Sequence, residues 1–161
     1  MEMTGNLPKT TKKPIMGFQG EYRWLSNFWT APIVVTGFEY QNTEAAYQAA
    51  KTINVAHRMQ FKNMTGGEAK RAGRSVIMRH DWDFVKLEIM ELVLRAKFMA
   101  HADLALKLIE TGDRDIVELN TWGDTHWGQV KDKEGNLVGE NVLGKLLMNI
   151  RSDINKGLAK I

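Results

Sequence analysis

Glu44 stands near the start of NTEAAYQAAKT, Asn42 to Thr52, with Tyr47, Gln48 and Lys51 three, four and seven residues on. On a helix, Glu44, Gln48 and Lys51 share one polar face with Tyr47 beside them, a set able to do polar chemistry on a bound ligand. The competing reading is a solvent-exposed first-turn glutamate with a neighbouring salt bridge. Two physical points favour chemistry. A helix N-terminus favours the ionised carboxylate, which suits stabilising a developing positive charge better than donating a proton. Glycoside cleavage passes through an oxocarbenium-like transition state that needs such a negative group.

The second candidate is the stretch TWGDTHWGQ, Thr121 to Gln129, which holds two of the five tryptophans beside Asp124, His126, Gly123 and Gly128. Both indoles could cap the core beneath a loop, each anchored by its N–H. Alternatively they wall a pocket for a flat ligand, with Asp124 facing it. Other chemistries lack their signatures. His57, His80, His101 and His126 show no paired spacing such as HExxH, so no metal site is indicated. TGGEAKRAGRS has neither the GK[ST] ending of a P-loop nor GxGxxG, and there is no GxSxG. With no cysteine in the chain, carboxylates are the candidate catalytic groups.

These residues need elements to hold them. FQGEYRWLSNFW, Phe18 to Trp29, is aromatic and polar without helical period and reads as a strand end and loop. APIVVTGFEYQ, Ala31 to Gln41, reads as a hairpin turning at Thr36–Gly37. A helix follows with Asn42 or Thr43 as its N-cap, and a shorter one over 66–76 is opened by a Gly–Gly turn. After HDWD, the residues Val85, Ile89, Leu92, Val93, Ala96 and Ala100 predict a core-lining helix capped by Asp83 and running to about His101. Next come a helix from Asp103 to Glu110 stopping at Gly112, and DIVELN, Asp115 to Asn120, as a strand entering the tryptophan loop. VKDKEGNLVG reads as a hairpin around Glu134–Gly135–Asn136, and a last helix from about Asn141 carries Leu143, Leu146, Leu147, Ile150 and Ile154 on one stripe. The order is α+β: a mainly helical single domain with small antiparallel β elements.

Composition agrees with that scale. At 161 residues, 43% hydrophobic and 25% charged, the chain has enough material for one domain with a sizeable core. Two of its three net positive charges fall in residues 1–14, where Lys9, Lys12 and Lys13 face only Glu2. That stretch reads as a disordered basic tail, leaving a nearly neutral domain over 15–161, which argues against a nucleic-acid-binding protein led by its charge. KRAGR, Lys70 to Arg74, is the one dense basic cluster and a candidate phosphate contact. With no bilayer-length apolar run and no signal-peptide core, the expected location is cytoplasmic.

The ordered set EYRWLSNFW, NTEAAYQAAKT, HDWDFVK, RAKF, the Trp–Gly loop and ENVLGKLLMNIR resembles the NADAR (YbiA-like) family of N-glycosidases, from about Gly17 to Arg151. Each motif is weak alone, and six in order are specific. The resemblance implies a compact α+β domain that hydrolyses N-glycosidic bonds to ribose without a cofactor or metal. Family substrates include phosphorylated ribosylamino-pyrimidine intermediates of riboflavin synthesis and ADP-ribose on modified guanine, with modified DNA or a guanine nucleotide as the carrier. It puts the catalytic glutamate at Glu44, an aromatic at Trp82, and the loop acid and aromatic at Asp124 and Trp127, next to Gly128. Asn27, Phe28, Lys51, Lys97 and Asn141 fall in matching segments as pocket residues, joined by Tyr47 and Gln48 on the glutamate's helix. The chain departs from the family at Ala45, where a histidine is frequent, and at Gln129, where an acid is. A module that binds ADP-ribose or a nucleotide without cleaving it would keep the aromatic and basic residues and would not need Glu44 ionised.

Overall fold

The structure is a computed structural model and describes residues 12–157. The chain starts in β1, Ile15–Met16, and passes through a 3-10 helix, Gly20–Leu25, into the hairpin of β2, Ile33–Val35, and β3, Phe38–Tyr40. The hairpin turns where expected: Thr36 and Gly37 both take positive φ, the geometry of a two-residue hairpin loop. Trp24 and Leu25 need burial, and a short 3-10 helix supplies it where the sequence suggested strand and loop.

Helix α1, Thr43–Ala49, is short and buried at every residue. Asn42 caps it, its side chain accepting from the Ala45 N–H at 2.7 Å. The alanines 45, 46 and 49 keep it slim, so neighbours pack close on all sides. One neighbour is α3, Gly66–Gly73, reached through the short exposed helix α2, Val55–Met59, which periodicity did not reveal. Gly66 and Gly73 begin and end α3. The first turn is held by a capping box between Thr65 and Glu68, so Gly66 and Gly67 open the helix from inside it and not as a preceding turn. A side chain at Gly66 would collide with Phe28, and one at Gly73 with Gln48, so both glycines set the depth of α3 against the α1 side of the fold.

The long helix α4, Trp82–Ala100, packs on α1 and β2. Asp81, not Asp83, occupies its N-cap position, and the Asp81 carboxylate serves Arg79 at 2.6 and 3.0 Å instead of the helix N–H groups. Its buried residues are Trp82, Met90, Val93, Leu94, Lys97 and Phe98, while Leu92 and Ala100 face outward. The true stripe is rotated from the sequence-based one because Trp82 and Lys97 belong to it. Helix α5, Ala102–Glu110, packs back on α4. Strand β4, Ile116–Val117, then pairs with β1 in parallel, so a parallel pair joins the two expected antiparallel hairpins. The second hairpin, β5, Val130–Lys131, with β6, Leu137–Val138, precedes α6, Val142–Asn155, which packs on β4 and α5.

One hydrophobic core runs from Ile15 to Ile150 through all the larger elements, as expected of one mainly helical α+β domain. Of the tail assigned to 1–14, residues 1–11 lie outside the described residues, as do 158–161 at the other end. The Lys13 carbonyl accepts from Arg114 Nε at 2.7 Å, so the described end of that stretch touches the domain. Among the described residues no helix is long and apolar enough to cross a membrane.

Candidate active site

α1, α3 and the loop after β4 enclose a cavity of about 830 Å³. Glu44, Tyr47, Gln48 and Lys51 line it from α1, Asp124 and Trp127 from the loop, and Asn27 and Phe28 from the segment before β2. Eight sequence-predicted residues thus come together from three distant segments.

Glu44 is buried, so its charge costs desolvation. Burial raises its carboxyl above the usual range, against the opposing pull of the Gln48 amide, Lys70 and Lys51. The helix N-terminus therefore does not decide its ionisation, as the sequence had suggested; desolvation outweighs it. Gln48 Nε2 donates to Glu44 Oε1 at 2.8 Å, while Gln48 Oε1 is buried and unpartnered. Burial lowers the Lys51 amine and Glu44 raises it. The Tyr47 hydroxyl is pushed well above its ordinary value by burial, then by the charges of Glu44 and Asp124.

The loop is fastened from within. Asp124 Oδ1 accepts from the His126 and Trp127 N–H groups at 3.0 and 2.9 Å. Its own N–H goes to Asn120 Oδ1 at 3.0 Å. Trp127 meets Tyr47 edge-on at 5.9 Å between ring centroids. Asn27 is the floor: its carbonyl receives the Glu44 N–H at 3.1 Å and its Oδ1 the Thr43 hydroxyl at 3.1 Å.

Four sequence-predicted residues stand behind the cavity without lining it. Trp82 is buried against Tyr47 at 5.2 Å, with Lys51 Nζ 6.0 Å from its ring. Lys97 is fully buried, and its amine bridges the Trp24 and Ser26 carbonyls at 2.6 and 3.0 Å, so it props the segment leading to Asn27 and is not placed to meet a phosphate. Asn141, in left-handed backbone geometry, ties Ile116 to Glu118 through its amide. Gly128 leaves the space that the Glu118 side chain fills.

Among the other lining residues, Glu118 was not singled out from sequence, Trp122 was left between core and pocket wall, and Lys70, Arg71 and Arg74 were read only as a basic cluster able to contact phosphate. Trp122 is 60% exposed, so the reading that placed it in the core fails; Lys70 Nζ sits 5.1 Å from its ring and 5.9 Å from that of Phe28. The basic cluster 70–74 is the signal that pointed to this wall. Glu118 had none, because a strand-end glutamate looks like any other. Burial pushes its carboxyl up to about 7, the Asp124 charge adding to the rise while Asn120 and Lys70 oppose it. Among the described residues no group of three or more His, Cys, Asp or Glu could hold a metal ion.

The arrangement offers a desolvated carboxylate, aromatic walls and a basic rim around a space the size of a nucleotide-type ligand. The model of the NADAR domain matches residues 16–155. The chain belongs to the NADAR family. N-glycosidase YbiA of Shigella flexneri is 36% identical over 137 residues, 83% of this chain and 82% of that protein. Riboflavin biosynthesis protein VVA0006 of Vibrio vulnificus is 31% identical over 152 residues, 90% of this chain and 40% of that one. The NMR structure of the Escherichia coli protein YbiA superposes with a TM-score of 0.76 at 31% identity, covering 97% of this chain and 94% of that one. As a NADAR protein the chain is a hydrolase of N-glycosyl bonds, with the mixed helical fold of its relatives.

Proposed function

We propose that this N-glycosidase releases ADP-ribose from a guanine base, with Glu44 facing the anomeric carbon. The observation that carries the substrate choice is the basic wall: Lys51, Lys70, Arg71 and Arg74 all line one cavity of about 830 Å³, enough cationic groups for two phosphates. Glu44 stabilises the oxocarbenium-like transition state. Gln48, Lys70 and Lys51 favour its ionised form against the larger cost of burial, and that form gains most when a positive charge develops next to it. Asp124 has one oxygen committed to the loop, and the other orients the attacking water. Trp127 stacks on the ribose or base, with Asn27 and Tyr47 closing the floor. Trp82, Lys97, Gly128 and Asn141 act by holding these groups in place. No cofactor enters this chemistry. The carrier is a guanine nucleotide or modified DNA, to which Lys9, Lys12 and Lys13 add phosphate attraction. The cysteine-free sequence supports a cytoplasmic location.

One observation favours a second substrate class. A relative at 31% identity is named a riboflavin biosynthesis protein, which supports phosphorylated ribosylamino-pyrimidines as the N-glycoside. Incubation with ADP-ribosylated guanosine and, separately, with ribosylamino-pyrimidine phosphates, followed by mass spectrometry, separates the two. Free ADP-ribose and guanosine are expected. Activity confined to the pyrimidine substrates would overturn the substrate choice and keep the N-glycosidase chemistry.

A further inference from the structure

We infer that Glu118 is the general acid of this site, the group that hands a proton to the departing base. The inference rests on the N-glycosidase reading above and supplies the group that reading lacks, since a nitrogen base leaves poorly as an anion.

Glu118 lines the cavity from the end of β4, whereas Glu44 lines it from α1. The two carboxyls come from different elements of the cavity lining, and the Lys70 charge acts on both. The backbone of Glu118 is clamped on both sides: its N–H donates to Asn141 Oδ1 at 2.9 Å and its carbonyl accepts the Gln129 N–H at 2.9 Å. Its side chain is lodged in the space left by Gly128, with Oε2 accepting from Asn120 Nδ2 at 3.0 Å. A carboxyl fixed so firmly at a cavity wall is suited to deliver a proton in one direction.

A purely structural role fits less well. Asn120 Nδ2 also reaches the carbonyls of Asp124 at 2.8 Å and Gln129 at 3.3 Å, three acceptors for two hydrogens. The loop is therefore held without Glu118. Among the described residues no donor is bonded to the second carboxyl oxygen, which leaves it able to carry the proton. The groups acting on Glu118 are Asp124, whose charge keeps the proton on, and Lys70, which opposes it. Burial outweighs both, so a carboxyl near 7 holds a proton for a useful fraction of molecules at neutral pH while remaining acidic enough to give it up.

The step balances. The bond from the anomeric carbon to nitrogen breaks with its electron pair on the base, and the Glu118 proton forms the new N–H bond. Water bonds to the anomeric carbon, its proton passing to the Asp124 carboxylate. Exchange with solvent then returns a proton to Glu118 and removes one from Asp124.

The test is the single-turnover rate of base release against pH for wild type, Glu118→Gln and Glu118→Asp, on whichever of the two substrates the wild type cleaves, with thermal unfolding midpoints alongside. Wild type should lose rate as pH rises through about 7. Glu118→Gln should be slower by about 10²–10⁴-fold at pH 6 and should lack that descending limb. Glu118→Asp, which keeps an acid, should recover part of the rate and retain a limb. A Gln variant slowed equally at every pH with the limb intact, or not slowed at all, would overturn the assignment. So would an Asp variant that folds and shows neither rate nor limb. If the wild type releases no base from either substrate, the proposed substrates fall, and this inference, which rests on them, falls with them.

Discussion

Gln48 lies one helical turn beyond Glu44 and donates to its Oε1 at 2.8 Å, inside a helix with no exposed residue. That hydrogen bond lowers a carboxyl that burial raises. Removing it with Gln48→Leu should make Glu44 harder to ionise. If Glu44 acts as a carboxylate, activity is lost as pH falls through its raised value, so the variant's acid limb should begin at higher pH than in wild type. The acid limb should move up by about one pH unit, the scale of one charge-assisted hydrogen bond at ~1.5 kcal/mol. A pH–rate profile that coincides with wild type would separate Gln48 from the chemistry.

The two loop tryptophans should part company in mutagenesis. Trp122 is exposed at the rim, so Trp122→Ala should change stability by no more than about 0.5 kcal/mol and weaken ligand binding. Trp127 packs between Tyr47 and His126, at 5.9 and 4.6 Å, so Trp127→Ala should weaken binding and lower the unfolding midpoint as well. Calorimetric titration with ADP-ribose and thermal melts of both variants check this. Equal melts for the two would contradict the packing difference.

Much of this site was legible because its chemistry sits on local patterns. Asn42 followed by an alanine-rich turn announced the helix that presents Glu44, and the Thr36–Gly37 turn fixed the hairpin before it. Missing were the residues whose roles depend on burial. Lys97 was expected among the pocket residues, whereas the fold turns it inward to two carbonyls. Trp122 could be read as core or as pocket wall, and the fold leaves it 60% exposed beside Gly123, which takes positive φ. Glu118 was invisible because its burial depends on Asn141 and Gly128, which lie beyond the tryptophan loop or within it, as well as on nearby Asn120. The parallel pairing of Ile15–Met16 with Ile116–Val117 joins segments far apart in the sequence, and no local period encodes such a contact.

Lys97→Ala should destabilise the protein by about 2–4 kcal/mol, since it leaves a void and orphans the Trp24 and Ser26 carbonyls. Chemical denaturation measures the loss. Because Lys97 does not line the cavity, the folded fraction should still bind ligand, with at most a modest drop from a looser Asn27. A stable variant with abolished binding would return Lys97 to the ligand.

Glu118 gives stability its own pH dependence. Its folded value of about 7 exceeds the ordinary 4.5, so the folded state holds the proton more tightly than the unfolded chain does. Its favourable contribution is complete below about 4.5 and is lost as pH rises through about 7. The unfolding midpoint of wild type should therefore fall relative to that of Glu118→Gln between these values and run parallel above them. Curves parallel throughout would mean that the carboxyl is not perturbed by the fold.

The central claim is that Glu44 acts through its negative charge on a ribosyl N-glycosidic bond. The most direct measurement is single-turnover base release by wild type and Glu44→Gln, with unfolding midpoints and ADP-ribose affinity determined on the same preparations. The amide keeps the shape and removes the charge, so release should fall by about 10³-fold or more. The midpoint should stay level or rise, because a buried charge has been removed, and ADP-ribose should still bind. Base release at the wild-type rate by a folded Glu44→Gln variant would contradict the account.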